Sequence, residues 1–323
     1  MLIKLFTIIF LTVFAVKPFQ KGEKRYTNKI FEDNKSLMYY VEYNEIKSKY
    51  MNSLQPVYIV LPPSYYGNVY KYYPCIILLG GLSESLAGPH PSSLYWIKDC
   101  NLEEALIWMQ KDSLTASSVR RMMKQEDLNK YSELLKKEKL EDLIMICPYT
   151  YAGLPEKYNR YLLEELIEFV EKKYRILSSK EFRSINGVCL GGGMVFYYGF
   201  HYPDLFSSVG GVQADIPDFK RFFKDDLVKN KDYFKKTMRI NLVESRGDSY
   251  LRENDKLVNE LREMGIKCDY NIFLGGHGYE FYKGVGSKIA IYIHSQYFRK
   301  NIDEFEKENV LPIKLSLLSR KTR

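Results

Sequence analysis

The chain has 323 residues, 46% hydrophobic and 27% charged, a composition that supports one large core and excludes disorder and coiled coil. With 20 Gly, 12 Pro and no internal repeat, collagenous, low-complexity, solenoid and propeller architectures are excluded as well. The net charge of +8 arises partly in the tail, from Lys314, Arg320, Lys321 and Arg323, and runs such as residues 136–141 mix both signs, so no nucleic-acid groove is implied.

At the amino end, Lys4 precedes an apolar run over residues 5–16, with Val13, Phe14 and Ala15 where a signal peptidase would test the chain. The pattern predicts an export signal over residues 1–15, cleaved near Ala15, and a periplasmic or extracellular protein. The run is about half the ~20 residues a spanning helix needs, so no stable membrane span is expected after cleavage. Residues 16–50 read as an N-terminal segment, 51–305 as one folded domain and 306–323 as a basic tail.

Short β-rich apolar runs then alternate with helical patterns. The runs fall at residues 57–61, 75–79, 143–147, 183–186, 208–213, 240–244 and 270–274. Continuous apolar strands belong to a sheet covered on both faces, and the βαβ rhythm predicts a mostly parallel, doubly wound α/β architecture. Residues 161–174 set Leu162, Leu166, Phe169 and Val170 on one helical face, and residues 251–264 do the same with Leu257, Leu261 and Met264. Asn101 followed by Glu104 reads as a helix start with reciprocal capping. A polar, helical insertion over about residues 101–141 interrupts the strand rhythm and is either a cap over a site or a surface excursion.

The cysteines Cys75, Cys100, Cys147, Cys189 and Cys268 are odd in number, so at least one thiol is expected to be free. Cys75 and Cys147 lie inside apolar strands, the setting of buried, inert thiols. Cys189 lies in Gly187-Val188-Cys189-Leu190-Gly191, between a strand and a helix. That is the setting of the nucleophile elbow G-x-S-x-G, with Cys in the Ser position; the glycines allow the sharp turn and the close packing around it. A helix start also favours a thiolate, because unpaired amides and the helix dipole stabilise negative charge.

Gly275-Gly276-His277-Gly278 follows the last strand and places His277 where a general base would stand. Asp248, in Glu244-Ser245-Arg246-Gly247-Asp248, leaves the preceding strand as the carboxylate that would orient the imidazole, with Glu244 in reserve. The order Cys189, Asp248, His277 matches that of the α/β-hydrolase fold. The strand at residues 75–79 runs into Gly80-Gly81-Leu82, where the amides of Leu82 and Leu190 would form an oxyanion hole. No Lys-Ser or Lys-Thr follows these glycines, so a phosphate loop is set aside.

With these residues the sequence resembles the esterase family that includes esterase D, feruloyl and acetyl xylan esterases, ferric enterobactin esterase and the antigen 85 mycolyltransferases. The likeness spans about residues 57–298. It rests on residues 57–63, the Gly81 turn, residues 161–174, the Cys189 elbow with Gly192 and Gly193, Tyr202-Pro203-Asp204-Leu205-Phe206, and Gly275-Gly276-His277. The resemblance implies an α/β-hydrolase fold, with nucleophile, acid and base on Cys189, Asp248 and His277. Two departures stand out: the family usually has Ser at the elbow, and His where this chain has Gly80.

The expected function is an exported esterase-like hydrolase attacking a carboxylic ester or thioester through a Cys-His-Asp triad, with no metal or organic cofactor. The substrate would be a small-molecule, glycan or lipid ester. The alternatives are a catalytically degenerate relative that binds ligands without turnover, and an acyltransferase using the same residues.

Overall fold

The computed structural model describes residues 39–319 apart from 112 and 139. The expected export signal, most of the segment 16–50 and the last four residues of the tail lie outside them. The strands are β1 (Tyr40–Ser48), β2 (Ser53–Leu61), β3 (Cys75–Leu79), β4 (Ile144–Pro148), β5 (Arg183–Val188), β6 (Ser208–Val212), β7 (Arg239–Gly247) and β8 (Cys268–Gly276). They form one sheet in the order β1-β2-β4-β3-β5-β6-β7-β8. Pairing is antiparallel from β1 to β2 and from β2 to β4, and parallel everywhere else.

The helices are α1 (Leu82–Ala87), α2 (Pro89–Lys98), α3 (Leu102–Trp108), α4 (Gln125–Lys137), α5 (Glu156–Arg160), α6 (Ile167–Lys173), α7 (Leu190–His201), α8 (Ile216–Lys229), α9 (Lys231–Thr237), α10 (Leu251–Glu263), α11 (Tyr279–Phe281) and α12 (Ser287–Ser319). Among the described residues, no helix is long and apolar enough to cross a membrane.

Alternation along each strand feeds two cores. Ile77 and Leu79 of β3 point to one face, covered by α5, α6, α7, α8 and α10, while Ile76 and Leu78 point to the other, covered by α2, α3, α4 and α12. All five side chains of β3 are buried, which is why this strand reads as an unbroken apolar run. Each fully buried Ile or Leu stabilises the fold by about 1.5–3 kcal/mol, and truncating one to Ala costs about 2–5 kcal/mol.

Three elements differ from the sequence expectation. The sheet starts at Tyr40, ahead of residue 51, because β1 pairs with β2 along its whole length. Residues 161–174 form a helix whose first part, Tyr161–Leu166, is a π turn. The insertion 101–141 docks on β8 and α12: Tyr131 packs on Phe273 and Tyr292, and its hydroxyl bonds Asn271 at 2.9 Å. The expected start of α3 is present: Asn101 Oδ1 accepts from the Glu104 amide at 3.4 Å, and its Nδ2 donates to the Glu104 carboxylate at 2.8 Å.

The connection after β3 runs to β4 on one side, and β5 then returns on the other. Strand order therefore reverses at β3, and the carboxyl ends of β3 and β5 flank the kind of switch point beyond which doubly wound sheets hold their ligands.

Candidate active site

Cys189 sits between β5 and α7 with φ 50° and ψ −116°. Such a backbone costs a residue with a β-carbon about 1–3 kcal/mol and persists only where packing enforces it. The packing is visible. A β-carbon on Gly187 would run into the backbone of Gly191, and one on Gly191 would lie 2.5 Å from the Gly80 carbonyl oxygen. The Gly191 amide donates to that oxygen at 3.1 Å, so the turn after β3 and the start of α7 meet backbone to backbone. The Cys189 amide donates to Val212 at 3.0 Å, and its carbonyl accepts from Gly193 at 3.1 Å and Asp215 at 2.9 Å. All five thiols are free; those of Cys75, Cys100 and Cys147 are buried, while Cys189 remains partly exposed.

Asp248 follows β7 with its side chain fully buried. One carboxylate oxygen accepts from the Tyr250 amide at 2.8 Å. His277 follows β8, and its Nδ1 lies 3.2 Å from both oxygens of Asp248. Hydrogen bonding to Asp248, and next to Cys189, pushes the imidazole pKa up to about 10 against the opposing effect of burial. Nε2 meets the Tyr282 hydroxyl at 3.1 Å, and the Tyr250 ring stands edge-on at 5.4 Å.

Glu244 does not reach His277. Its carboxylate accepts from Asn254 Nδ2 at 2.7 Å and from the Ala214 amide at 3.3 Å. Burial, and then the charge of Asp248, push its pKa well above the carboxylate range.

The turn after β3 is held from several sides. Trp96 Nε1 donates to the Leu79 carbonyl at 2.8 Å, and the Gly80 amide donates to Thr150 Oγ1 at 2.7 Å. Trp96 is thus a core residue bracing the turn. A β-carbon on Gly80 would lie 3.3 Å from the Tyr95 side chain, so Tyr95 fills the space that a larger residue would need. Leu82 and Leu190 open α1 and α7, and first-turn amides have no acceptor within their helix. Among the described residues neither amide finds one elsewhere.

Asp248 and His277 thus pair beyond the ends of β7 and β8, with Cys189 at the end of β5 acting on the same imidazole, and the Gly80–Gly191 contact joins the two segments that carry Leu82 and Leu190. A family model described as "Putative esterase" matches residues 48–283. The chain belongs to this esterase family. Its mostly parallel sheet with covering helices is the α/β-hydrolase fold shared by solved esterases. A ferulic acid esterase superposes with a TM-score of 0.59 at 19% identity, over 80% of this chain and 98% of that one. An S-formylglutathione hydrolase from Staphylococcus aureus does so with 0.57 at 13% identity, over 80% and 97%. The feruloyl esterase module from Clostridium thermocellum, solved with sinapinate, gives 0.54 at 13%, over 80% and 87%.

Two residues beside His277 and Cys189 were not singled out from the sequence. Tyr282, five residues past His277, lies on a π turn, a distortion that recurs at functional sites. Asp215 follows β6, and burial, then Asp218, push its carboxyl up to about 6. A polar residue just past the carboxyl end of an apolar parallel strand is the pattern that would have flagged it.

Proposed function

We propose that the chain hydrolyses a carboxylic ester or thioester, with Cys189 as nucleophile, His277 as its proton partner and Asp248 as the orienting carboxylate. The observation that carries this reading is the His277 ring, bonded through Nδ1 to Asp248 and raised in pKa by Asp248 and Cys189 together. An imidazolium beside a cysteine is the partner that a thiolate requires.

In this scheme the Cys189 sulfur attacks the carbonyl carbon, and the carbonyl electron pair moves to oxygen, where the Leu82 and Leu190 amides receive it. As the intermediate collapses, the bond to the leaving group breaks and the departing alkoxide or thiolate takes the Nε2 proton. The neutral imidazole next removes a proton from water, whose oxygen attacks the acyl-cysteine. A second collapse frees the carboxylic acid and restores thiolate and imidazolium, so one ester and one water give one acid and one alcohol or thiol. Asp248 holds the Nδ1 proton and stabilises the positive ring throughout.

Relatives named for ferulic acid and S-formylglutathione make an aryl ester and a thioester the first substrates to assay. Cys189→Ala is expected to lower kcat/KM on chromogenic esters by about 10³-fold or more, and activity retained by that variant excludes the mechanism. Adding a sugar or lipid acceptor to the assay separates hydrolysis from acyl transfer. Lys4 and the apolar run over residues 5–16 support an exported enzyme.

A further inference from the structure

Gln213 is the residue after β6, at φ 47° and with no exposed surface. A backbone of this kind needs enforcement, and a buried amide needs partners. Its own amide donates to the Val243 carbonyl of β7 at 2.9 Å. Its side chain crosses β7 to the end of β8: Nε2 donates to Ser245 Oγ at 2.6 Å and to the Gly276 carbonyl at 2.9 Å, while Oε1 accepts from the Gly278 amide at 3.0 Å. Ser245 Oγ closes the ring by donating to the same Gly276 carbonyl at 3.2 Å.

Gly276 C=O and Gly278 N–H belong to the two peptides that flank His277. We propose that Gln213 is a positioning residue for His277: its side-chain amide pairs with both flanking peptides, as a neighbouring strand would, and fixes the ring between Asp248 and Cys189. The loop needs such a clamp. Gly275 and Gly278 both adopt positive φ, 125° and 124°, and glycine backbone there is intrinsically free. Regular pairing of β7 with β8 also breaks between Ser245 and Gly247, beside the histidine. The side-chain amide of Gln213 supplies the pairing that the two backbones no longer make.

The kinetic consequence rests on the catalytic reading of His277; the structural one does not. Gln213→Leu and Gln213→Glu, made in the full chain, are compared with the parent by nitrogen-15 NMR of the histidine rings and by kcat and KM on a chromogenic ester. The His277 signals are assigned by their loss in His277→Gln. In Gln213→Leu the His277 titration midpoint is expected to fall from about 10 toward 6.5, and kcat to fall up to about 10²-fold at nearly constant KM, the size expected of a misplaced catalytic group. Gln213→Glu keeps the acceptor for Gly278, loses the donor to Gly276 and is expected to fall between. If circular dichroism shows the Leu variant unfolded, the isosteric Glu variant carries the test. Unchanged His277 signals and kcat in the folded variants overturn the proposal. Activity surviving Cys189→Ala would remove the catalytic reading yet leave the NMR result standing, so the two failures are distinguishable.

Discussion

Asp248 and Glu244 lie four residues apart around the end of one strand, and only Asp248 touches the imidazole. Asp248→Asn removes the largest cause of the raised His277 pKa, so the ring should titrate nearer 6.5 and kcat should fall by about 10²–10⁴-fold, read by NMR and by steady-state kinetics. Glu244 is held above the usual carboxylate range by burial and touches Asn254 and Ala214, not the imidazole, so the neutral isostere Glu244→Gln is expected to keep kcat/KM within about 3-fold of the parent. A loss there as large as that of Asp248→Asn would make Glu244 the working acid. The sequence placed Asp248 first and kept Glu244 in reserve, since side-chain direction is not encoded in spacing. The elbow was legible because its glycines are required by backbone contact. Gln213 and Tyr282 were not, because each acts through a neighbour that only the folded chain supplies.

Strands β3, β5 and β6 were readable because every one of their side chains is buried, as the boundaries of β3 show, whereas β8 at the sheet edge buries only Phe273. β1 was not, because Glu42, Asn44, Glu45 and Lys47 break its apolar character; Asn44 is nonetheless buried, donating to the Tyr174 hydroxyl at 2.9 Å. α12 carries a histidine of another kind. His294 bonds Ser208 at 3.0 Å and Asn186 at 3.0 Å beneath the sheet, and burial lowers its pKa to about 3. A group depressed on folding loses its stabilising contribution as pH falls from the unfolded value near 6.5 toward 3, at up to about 1.4 kcal/mol per unit. His277, raised to about 10, acts in the opposite sense: its contribution is complete below about 6.5 and is lost as pH rises toward 10. Thermal unfolding against pH should therefore show both limbs, with His277→Gln flattening the alkaline one between about pH 6.5 and 9 and leaving the acid limb in place. An alkaline limb unaffected by His277→Gln would contradict the pairing with Asp248.

Across the whole molecule, the fold sorts five chemically identical thiols into different fates. Burial pushes the Cys75 and Cys268 thiols up to about 12, and three of the five are closed to solvent. Brief treatment of the folded enzyme with iodoacetamide should alkylate Cys189 first, with Cys75, Cys100 and Cys147 following only on unfolding, as peptide mass spectrometry can read. The α/β-hydrolase architecture was legible at this scale from the order of strands and helices, because a reversal of strand order opens its crevice wherever that order recurs. What surrounds His277 was not legible, since Tyr250 and Tyr282 reach it from segments far apart in the chain. The central claim is that the sulfur of Cys189 takes the acyl group. Mixing the enzyme with an activated ester and quenching early should give one acyl adduct, mapped to the Cys189 peptide, that disappears as substrate is exhausted and is absent from Cys189→Ala. Ester turnover with no adduct on that peptide, or with an adduct on another residue, would contradict it.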